Sequence, residues 1–362
     1  MNTGILTFTH ALNYGAVLQG IALNEVASQI TGHQAELIDY RCRKVEDRET
    51  PKRANPRELI HPRLFSRHLY GYRALCKRAV AFERFERDFC TYGERVDGQE
   101  GIAASYDTVV VGSDQVWSPV ITGSDVTFFL GNPSCSKVKK VAYAASFGDF
   151  SASWQNPDRI AGWLEQFKAI GVREVSGRVA LNRLGIDDAQ VVLDPTLLLG
   201  GEDWSKVARP SRQTKGYVFA YSVSERRKTL SHARRIARRM NADLVFLECY
   251  PKAPALGTIS VNSIAPDEFL GYIKNAAYVV TSSFHGMCFS ILFEKPFRFV
   301  TSKGADYRRT RTYALAKSLG LEKVRLSDDL EVIPKIEYES VNHKLDELRD
   351  KSLDFLSGAL QD

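Results

Sequence analysis

The sequence lacks the features that mark several large classes of protein. Its longest apolar stretches, near residues 109–111 and 289–293, are far shorter than the roughly 20 residues that a membrane-spanning helix needs. The six cysteines form no C-x-x-C pair and no Cys/His cluster at zinc spacing. The first residues lack the basic and apolar regions of a secretory signal. We therefore expect a cytoplasmic protein without structural zinc or a disulfide framework.

Several catalytic signatures are also absent. The chain has no G-x-x-x-x-G-K-[ST] loop, no G-x-G-x-x-G after a strand, no G-x-S-x-G elbow and no H-E-x-x-H motif. These absences disfavour P-loop NTPases, dinucleotide-binding dehydrogenases, α/β-hydrolases and zincins.

The composition that remains is that of a globular protein with one unusual segment. The 362 residues, 44% hydrophobic and 25% charged, exceed what one hydrophobic core usually supports, so we expect two domains. The formal charge is +6, yet residues 41–87 alone contain fourteen basic and six acidic residues. Two interpretations of this basic segment stay open, namely a solvated charged face and a surface that binds a partner.

Apolar runs alternate with helical periodicity, which predicts an α/β protein with parallel sheets. Strands are predicted at 4–8, 35–39, 108–111, 140–145, 170–174 and 190–193, then at 217–221, 243–247, 278–281 and 297–300. This pattern predicts two Rossmann-like domains with a central cleft, residues 1–205 and 206–362, joined by a hinge near 200–215. We expect a basic helical insert at 41–90 in the first domain, and a last helix that packs back on that domain.

Ligands of such sheets bind beyond the carboxyl ends of the strands, and polar residues follow two strands of the first domain. Ser113 and Asp114 come after the strand at 108–111, and Arg173 lies at the end of the strand at 170–174, next to Glu174. Asp114 is either a helix cap or, in the cleft, a base or an acceptor for a sugar hydroxyl. Arg173 either pairs with a nearby acid or grips a phosphate or carboxylate through its planar fork.

A third junction, at 280–286, joins a strand that ends in hydroxyl residues to the start of a helix. Backbone N–H groups and the positive end of the helix dipole favour an anion there. We assign Ser282 and Ser283 to this anion site, His285 to the helix start, and Gly286 to a close approach behind it. His10, which follows the first strand, is a further candidate for the cleft.

Six motifs in register resemble the polysaccharide pyruvyl transferase family and span roughly residues 4 to 300. They are Asn13-Tyr14-Gly15-Ala16-Val17-Leu18-Gln19, Gly112-Ser113-Asp114-Gln115-Val116-Trp117, Ala144-Ala145-Ser146-Phe147-Gly148, Val172-Arg173-Glu174, Asp194-Pro195-Thr196-Leu197-Leu198, and Ser283-Phe284-His285-Gly286 followed by Glu294-Lys295-Pro296-Phe297. The resemblance implies a GT-B-like fold. It also implies transfer of pyruvate from phosphoenolpyruvate to a sugar diol, which gives a cyclic ketal during cell-surface polysaccharide (exopolysaccharide) biosynthesis.

The resemblance also assigns roles to particular residues. Arg173 matches the arginine that holds the donor anion, His285 matches the active-site histidine, and Asp114 matches an acidic residue of the N-terminal domain. We expect His285 to act as a general acid or to bind phosphate, and Asp114 to activate a hydroxyl. The remaining residues expected to contact substrate are Ser282, Ser283, Gly286, Ser113, His10 and Asn13. The reaction requires no metal and no cofactor besides the donor substrate.

One departure from the family keeps other functions open. Family members often carry an Arg-x-His pattern, whereas this chain has Ser283 two residues before His285. The alternatives are a GT-B glycosyltransferase that uses a nucleotide sugar, and a non-catalytic glycan-binding protein on the same fold. The acceptor is expected to be a sugar or a lipid-linked oligosaccharide. For a lipid-linked acceptor, residues 41–87 are expected to contact the anionic inner face of the plasma membrane, and no nucleic acid is expected as a partner.

Overall fold

The fold comes from a computed structural model, which describes residues 2–52, 60–148, 154, 156–213, 216–251, 253–301, 307, 310–326 and 334–361. The strands are β1 Thr3–Leu6, β2 Glu36–Tyr40, β3 Tyr92–Val96, β4 Thr108–Val111, β5 Lys139–Ala145, β6 Ala169–Val172, β7 Gln190–Val191, β8 Tyr217–Ser222, β9 Asp243–Glu248, β10 Ile259–Ser260, β11 Tyr278–Thr281 and β12 Phe297–Phe299.

Helices connect most of these strands and cover the faces of the sheets. They are α1 Tyr14–Thr31, α2 Arg43–Glu49, α3 Pro62–Phe89, α4 Gln99–Ser105, α5 Pro119–Thr122, α6 Pro157–Leu164, α7 Val175–Arg183, α8 Gly201–Val207, α9 Arg226–Met240, α10 Pro266–Lys274, α11 Phe284–Leu292, α12 Arg311–Ser318 and α13 Tyr338–Gln361. Within the described residues, none of these helices combines the length and apolar character needed to cross a bilayer.

The strands form two separate parallel sheets. The first has seven strands in the order β3-β2-β1-β4-β5-β6-β7, and the second has five in the order β10-β9-β8-β11-β12. Every described pairing within them is parallel. The central strands are buried apolar runs, as parallel strands covered on both faces require. The predicted class, an α/β protein with two Rossmann-like domains in a GT-B-like arrangement, is confirmed.

Two short strands and several helices, α8 among them, were not predicted. Strands β3 and β10 lie at sheet edges and are only partly buried, so they lack the apolar run that identifies a buried strand. The segment predicted as a hinge, 200–215, contains helix α8. This helix starts where the Gly200 N–H donates to Asp203 Oδ2 at 3.3 Å, and its Trp204 ring packs against Phe289 of the second sheet's helices.

The basic segment forms helices that dock on the second domain. Helix α3 covers the predicted helical half of the segment, while residues 53–59 lie outside the described residues. The Arg78 side chain is fully buried and donates to the carbonyls of Glu248 and Cys249, each at 2.7 Å, and of Asn262 at 2.8 and 3.0 Å. Arg84 donates to both carboxylate oxygens of Asp267 at 2.9 Å. Part of the positive charge therefore joins the domains, and lipid contact by residues 41–87 stays a prediction.

The last helix returns to the first domain. In α13, Ser352 accepts a hydrogen bond from the Leu193 N–H at 3.0 Å, and the carbonyl of Leu360 accepts one from Lys139 Nζ at 3.0 Å. The Phe355 ring lies 6.3 Å from that of Tyr143 in β5. Each domain thus holds a long helix that is contributed by the other part of the chain.

We predict that Arg78→Met lowers the free energy of unfolding by about 3 kcal/mol or more, because three buried carbonyl groups lose their donor. Urea unfolding followed by tryptophan fluorescence measures the change. The matched control is Arg73→Met on the same helix, where the exposed side chain predicts a change within about 0.5 kcal/mol. Equal effects in the two variants would contradict the proposed link between domains.

Candidate active site

The candidate site forms where the carboxyl ends of the two sheets meet. Asp114 follows β4, Arg173 follows β6 and Asp194 follows β7, all in the first domain. His285 lies in the first turn of α11, directly after β11 of the second domain. Parallel strands direct the residues after them to one edge, and here the edges of both sheets supply side chains to a single cluster.

Arg173 is the central residue of this cluster. Its Nη2 donates to Asp114 Oδ1 at 3.1 Å, and its Nη1 donates to Asp194 Oδ2 at 3.0 Å. Its Nε lies 3.7 Å from Glu174 Oε2, and only 1% of the side chain is exposed. Burial alone would lower the pKa of Arg173, but Asp114 and Asp194 outweigh it and hold this pKa above the ordinary value. The guanidinium group therefore stays charged and orders the carboxylates around it.

Asp194 also lies in this site, although it was not predicted as a site residue. Its Oδ1 accepts hydrogen bonds from the N–H of Thr196 at 3.1 Å and from the hydroxyl of Thr196 at 2.8 Å. Its Oδ2 faces Arg173 and accepts from the Ser113 hydroxyl at 3.3 Å. Burial acts to raise the pKa of Asp194, but His285 and Arg173 hold it well below its usual range. Asp194 directly follows the predicted strand at 190–193, and this position could have identified it as a site residue.

His285 is held between the two domains. Its Nε2 lies 3.4 Å from Asp194 Oδ2, and a Cβ on Gly15 of α1 would lie only 1.8 Å from its Nδ1. The His285 side chain is 7% exposed, and its Nε2 makes no hydrogen bond with the described residues. Arg173 Nε and Glu174 Oε2 are also buried without such a bond. These atoms have ionic contacts that are longer than hydrogen bonds, since Arg173 Nε and Glu174 Oε2 lie 3.7 Å apart and His285 Nε2 lies 3.4 Å from Asp194.

Arg311 is a second arginine that the sequence did not reveal. It begins α12, and its Nη1 lies 3.4 Å from Asp114 Oδ1. The guanidinium carbons of Arg311 and Arg173 lie 5.1 and 5.3 Å from the centre of the Phe284 ring. The Arg311 side chain is 28% exposed, which makes it the more accessible of the two cations. Burial and the charge of Arg173 lower the pKa of Arg311.

Asp114 links the two arginines. Burial acts to raise its pKa, but Arg173 and Arg311 hold that pKa below the ordinary value. Its side chain is 12% exposed, against none for Asp194. Asp114 is therefore the most exposed carboxylate of this cluster.

The serines expected to bind substrate are engaged with the backbone. Ser283 caps α11, with its Oγ accepting from the Gly286 N–H at 3.2 Å. The Ser282 hydroxyl accepts from the N–H groups of Val223 and Ser224, both at 3.1 Å. A Cβ on Gly286 would lie 2.4 Å from Thr281 Oγ1, so this glycine allows close packing of α11 on its sheet.

The first domain holds the other residues expected to bind substrate. Ser113 lies in the cluster, as described above. Asn13 caps α1, where its Oδ1 accepts from the Gly15 N–H at 3.1 Å. Substrate contacts by these residues and by the serines stay predictions.

His10 lies in a second group of titratable residues. Its Nε2 lies 2.8 Å from Asp39 Oδ1 and its Nδ1 lies 3.9 Å from Glu86 Oε2, while its ring stacks on Tyr92 at 5.0 Å. Burial lowers the pKa of His10 and raises that of Glu86 to about 7. A small cavity of about 10 Å³ adjoins it. His10 thus contacts these side chains rather than the Arg173 cluster, and its role toward substrate stays a prediction.

The described residues contain no group of three or more His, Cys, Asp or Glu side chains arranged to hold a metal ion. The fold and site define a two-domain α/β protein with a buried, charged site at the domain junction. A family model for polysaccharide pyruvyl transferase matches residues 13–304. The chain belongs to this family of transferases, and the predicted family is confirmed.

Comparison with curated proteins found no match. Among solved structures, UDP-GlcNAc 2-epimerase from Methanocaldococcus jannaschii is 11% identical, with 97% of this chain and 93% of that chain covered and a TM-score of 0.44. S. aureus MnaA, in a co-structure with UDP, is 11% identical, with 98% of this chain and 90% of that chain covered and a TM-score of 0.49. The spinosyn rhamnosyltransferase SpnG is 11% identical, with 100% of this chain and 96% of that chain covered and a TM-score of 0.37. At these values the similarity supports no functional assignment.

We predict that Gly15→Ala lowers the free energy of unfolding by about 1 to 3 kcal/mol, because its Cβ would overlap the His285 ring. It should also shift the NMR signals of that ring. Gly358→Ala is the matched control, since Gly358 is an exposed helical glycine with no atom within 4 Å of the added Cβ. The control should be neutral or gain up to about 1 kcal/mol. Similar stability changes in both variants would show that Gly15 does not confine His285.

Proposed function

We propose that this protein transfers pyruvate from phosphoenolpyruvate to two hydroxyls of a sugar and forms a cyclic ketal in cell-surface polysaccharide biosynthesis. The observation that carries the proposal is the cluster of Arg173, Arg311, Asp114 and His285 at the domain junction. The reaction needs a cationic site for the donor, a base for the hydroxyls and an acid for the methylene carbon. Membership of the pyruvyl transferase family supports this assignment, and we place the reaction in the cytoplasm.

Arg311 is the first contact for the donor anion in this proposal. Arg173 already bonds to two carboxylates, whereas Arg311 is more exposed and makes a longer contact with Asp114. A donor carboxylate or phosphate therefore replaces Asp114 as the partner of Arg311. This exchange leaves Asp114 free to accept a proton from a sugar hydroxyl, while Arg173 holds Asp114 in position. Arg173 also remains a candidate for direct donor contact.

His285 is the general acid in this proposal. It gives a proton to the methylene carbon of the donor while one sugar hydroxyl adds to the neighbouring carbon and loses its proton to Asp114. The carbon–oxygen bond to phosphate then breaks, and phosphate leaves with the proton that Asp114 had accepted. The second hydroxyl adds to the same carbon and gives its proton to His285, which closes the ketal and returns both residues to their starting states. Asp194 Oδ2, 3.4 Å from His285 Nε2, orients the ring for proton transfer.

We predict that Arg311→Lys weakens donor binding about tenfold or more, because the planar fork is lost while the charge is kept. Calorimetric titration with phosphoenolpyruvate measures the change. Arg235→Lys, an exposed position on α9, is the matched control and should bind as the wild type does. Arg173→Lys should weaken donor binding and also lower the melting temperature, because Asp114 and Asp194 share its fork. Unchanged affinity in Arg311→Lys would remove that residue from the donor site.

We predict that His285→Asn binds phosphoenolpyruvate with little change, while turnover falls by about two to four orders of magnitude. Asparagine still donates a hydrogen bond but delivers no proton at neutral pH. A phosphate-release assay beside the calorimetric titration gives both quantities. His343→Asn, with a side chain that is 75% exposed, is the matched control. Equal losses of affinity and turnover in His285→Asn would make the residue a binding group.

The wild-type protein separates this function from its main alternative. Phosphoenolpyruvate should raise the melting temperature, since a ligand that binds only the folded state stabilises it. A nucleotide sugar that raises the melting temperature, with no effect of phosphoenolpyruvate, would favour a glycosyltransferase. Stabilisation by neither would favour a glycan-binding protein without donor chemistry.

A further inference from the structure

A second cavity lies beyond the carboxyl ends of β8 and β9 in the second domain. Its volume is about 490 Å³, which is large enough for a small ligand group. Its lining residues are Arg67, Glu225, Arg226, Arg227, Ala253 and Pro254. None of these residues belongs to the Arg173 cluster.

The lining of this cavity is strongly basic. Three guanidinium groups face one carboxylate, and Arg226 is fixed in place. Its Nε lies 2.8 Å from Glu248 Oε1, and its Nη2 donates to the Ala253 carbonyl at 3.3 Å. Arg67 and Arg227 are exposed and have no ion-pair partner within the part of the chain that the structure describes. The cavity therefore combines one ordered arginine with two that are available for an anion.

The basic insert completes the cavity. Gly71 of α3 packs against the loop after β9, where an added Cβ would lie 2.3 Å from the Pro251 carbonyl oxygen. Arg67 precedes Gly71 by four residues, so the two share a face of the helix. The buried Arg78 holds this helix against the second domain. This arrangement directs Arg67 over the loop that contributes Ala253 and Pro254.

The cavity lies on the same sheet edge as His285. Strand β8 is the neighbour of β11, and the Ser282 hydroxyl, three residues before His285, bonds to the N–H groups of Val223 and Ser224 at the cavity's margin. Strands are ~4.8 Å apart, so the ends of β8 and β9 lie about one and two strand spacings from the strand that leads to His285. The cavity and His285 therefore lie along the same edge of the second sheet.

We propose that this cavity binds a phosphate or diphosphate group carried by the acceptor sugar. The inference rests on the proposed function, because it assigns the acceptor to the same sheet edge as the donor chemistry. The planar guanidinium group of arginine binds two oxygens of a phosphate group at once. Three arginines from two helices therefore suit a diphosphate better than a single carboxylate. Two sources carry this group, namely a sugar linked to a nucleoside diphosphate and a sugar linked to a lipid diphosphate.

The test is calorimetric titration with inorganic pyrophosphate. Arg67→Ala and Arg227→Ala should each weaken binding by about tenfold or more, the equivalent of one charge-assisted hydrogen bond. Arg235→Ala is the matched control, because it removes the same charge from an exposed position of α9 outside the cavity. Equal affinities in all three variants would overturn the proposal. So would binding that is lost only in Arg311→Lys, since pyrophosphate would then occupy the donor site.

Two further measurements complete the test. Titration with a uridine diphosphate sugar and with a sugar on a short prenyl diphosphate identifies which source binds through Arg67 and Arg227. Phosphoenolpyruvate binding in Arg67→Ala and Arg227→Ala should equal that of the wild type. If the protein binds phosphoenolpyruvate but not pyrophosphate, the anion site in this cavity is overturned and the proposed function is not. Pyrophosphate binding through these arginines without donor binding would overturn the proposed function and leave the anion site standing.

Discussion

The fork of Arg173 between Asp114 and Asp194 is the interaction on which the site depends. Three charges are buried together, and removing the guanidinium group takes the closest cation from each carboxylate. Breaking such a buried pair typically costs about 3 to 5 kcal/mol, so the arrangement is held tightly. It fixes Asp194 beside His285 and Asp114 beside Arg311. The side chains of two domains therefore take their positions from a single buried cation.

The positions of the domains support this fork. Helix α3 belongs to the first half of the chain but donates Arg78 to carbonyls of the second domain, and α13 returns from the second half to pack on the first sheet. These exchanges bring the two carboxyl edges together. Part of the basic segment therefore joins the two domains through Arg78. Its exposed Arg67 lines the cavity of the second domain.

Particular residues show how far prediction from sequence reaches. Asp114, Arg173 and His285 were predicted because each follows a strand with clear apolar periodicity, and parallel strands place such residues on one edge. Arg311 was missed because it lies beyond the motifs, which end near residue 300, and among the described residues the strand before it, β12, already ends at Phe299. His10 satisfied the same positional rule as the others, yet it contacts Asp39, Glu86 and Tyr92.

The sequence by itself determined the two parallel α/β units, their strands other than β3 and β10, and the residues at the strand ends, because these depend on local periodicity. Only the tertiary structure decided which charges meet. Asp194 faces Arg173 and His285, and Arg311 comes within reach of Asp114, through contacts between residues far apart in the chain. Packing of helices and sheets sets such distances, and no local pattern of residue types records them.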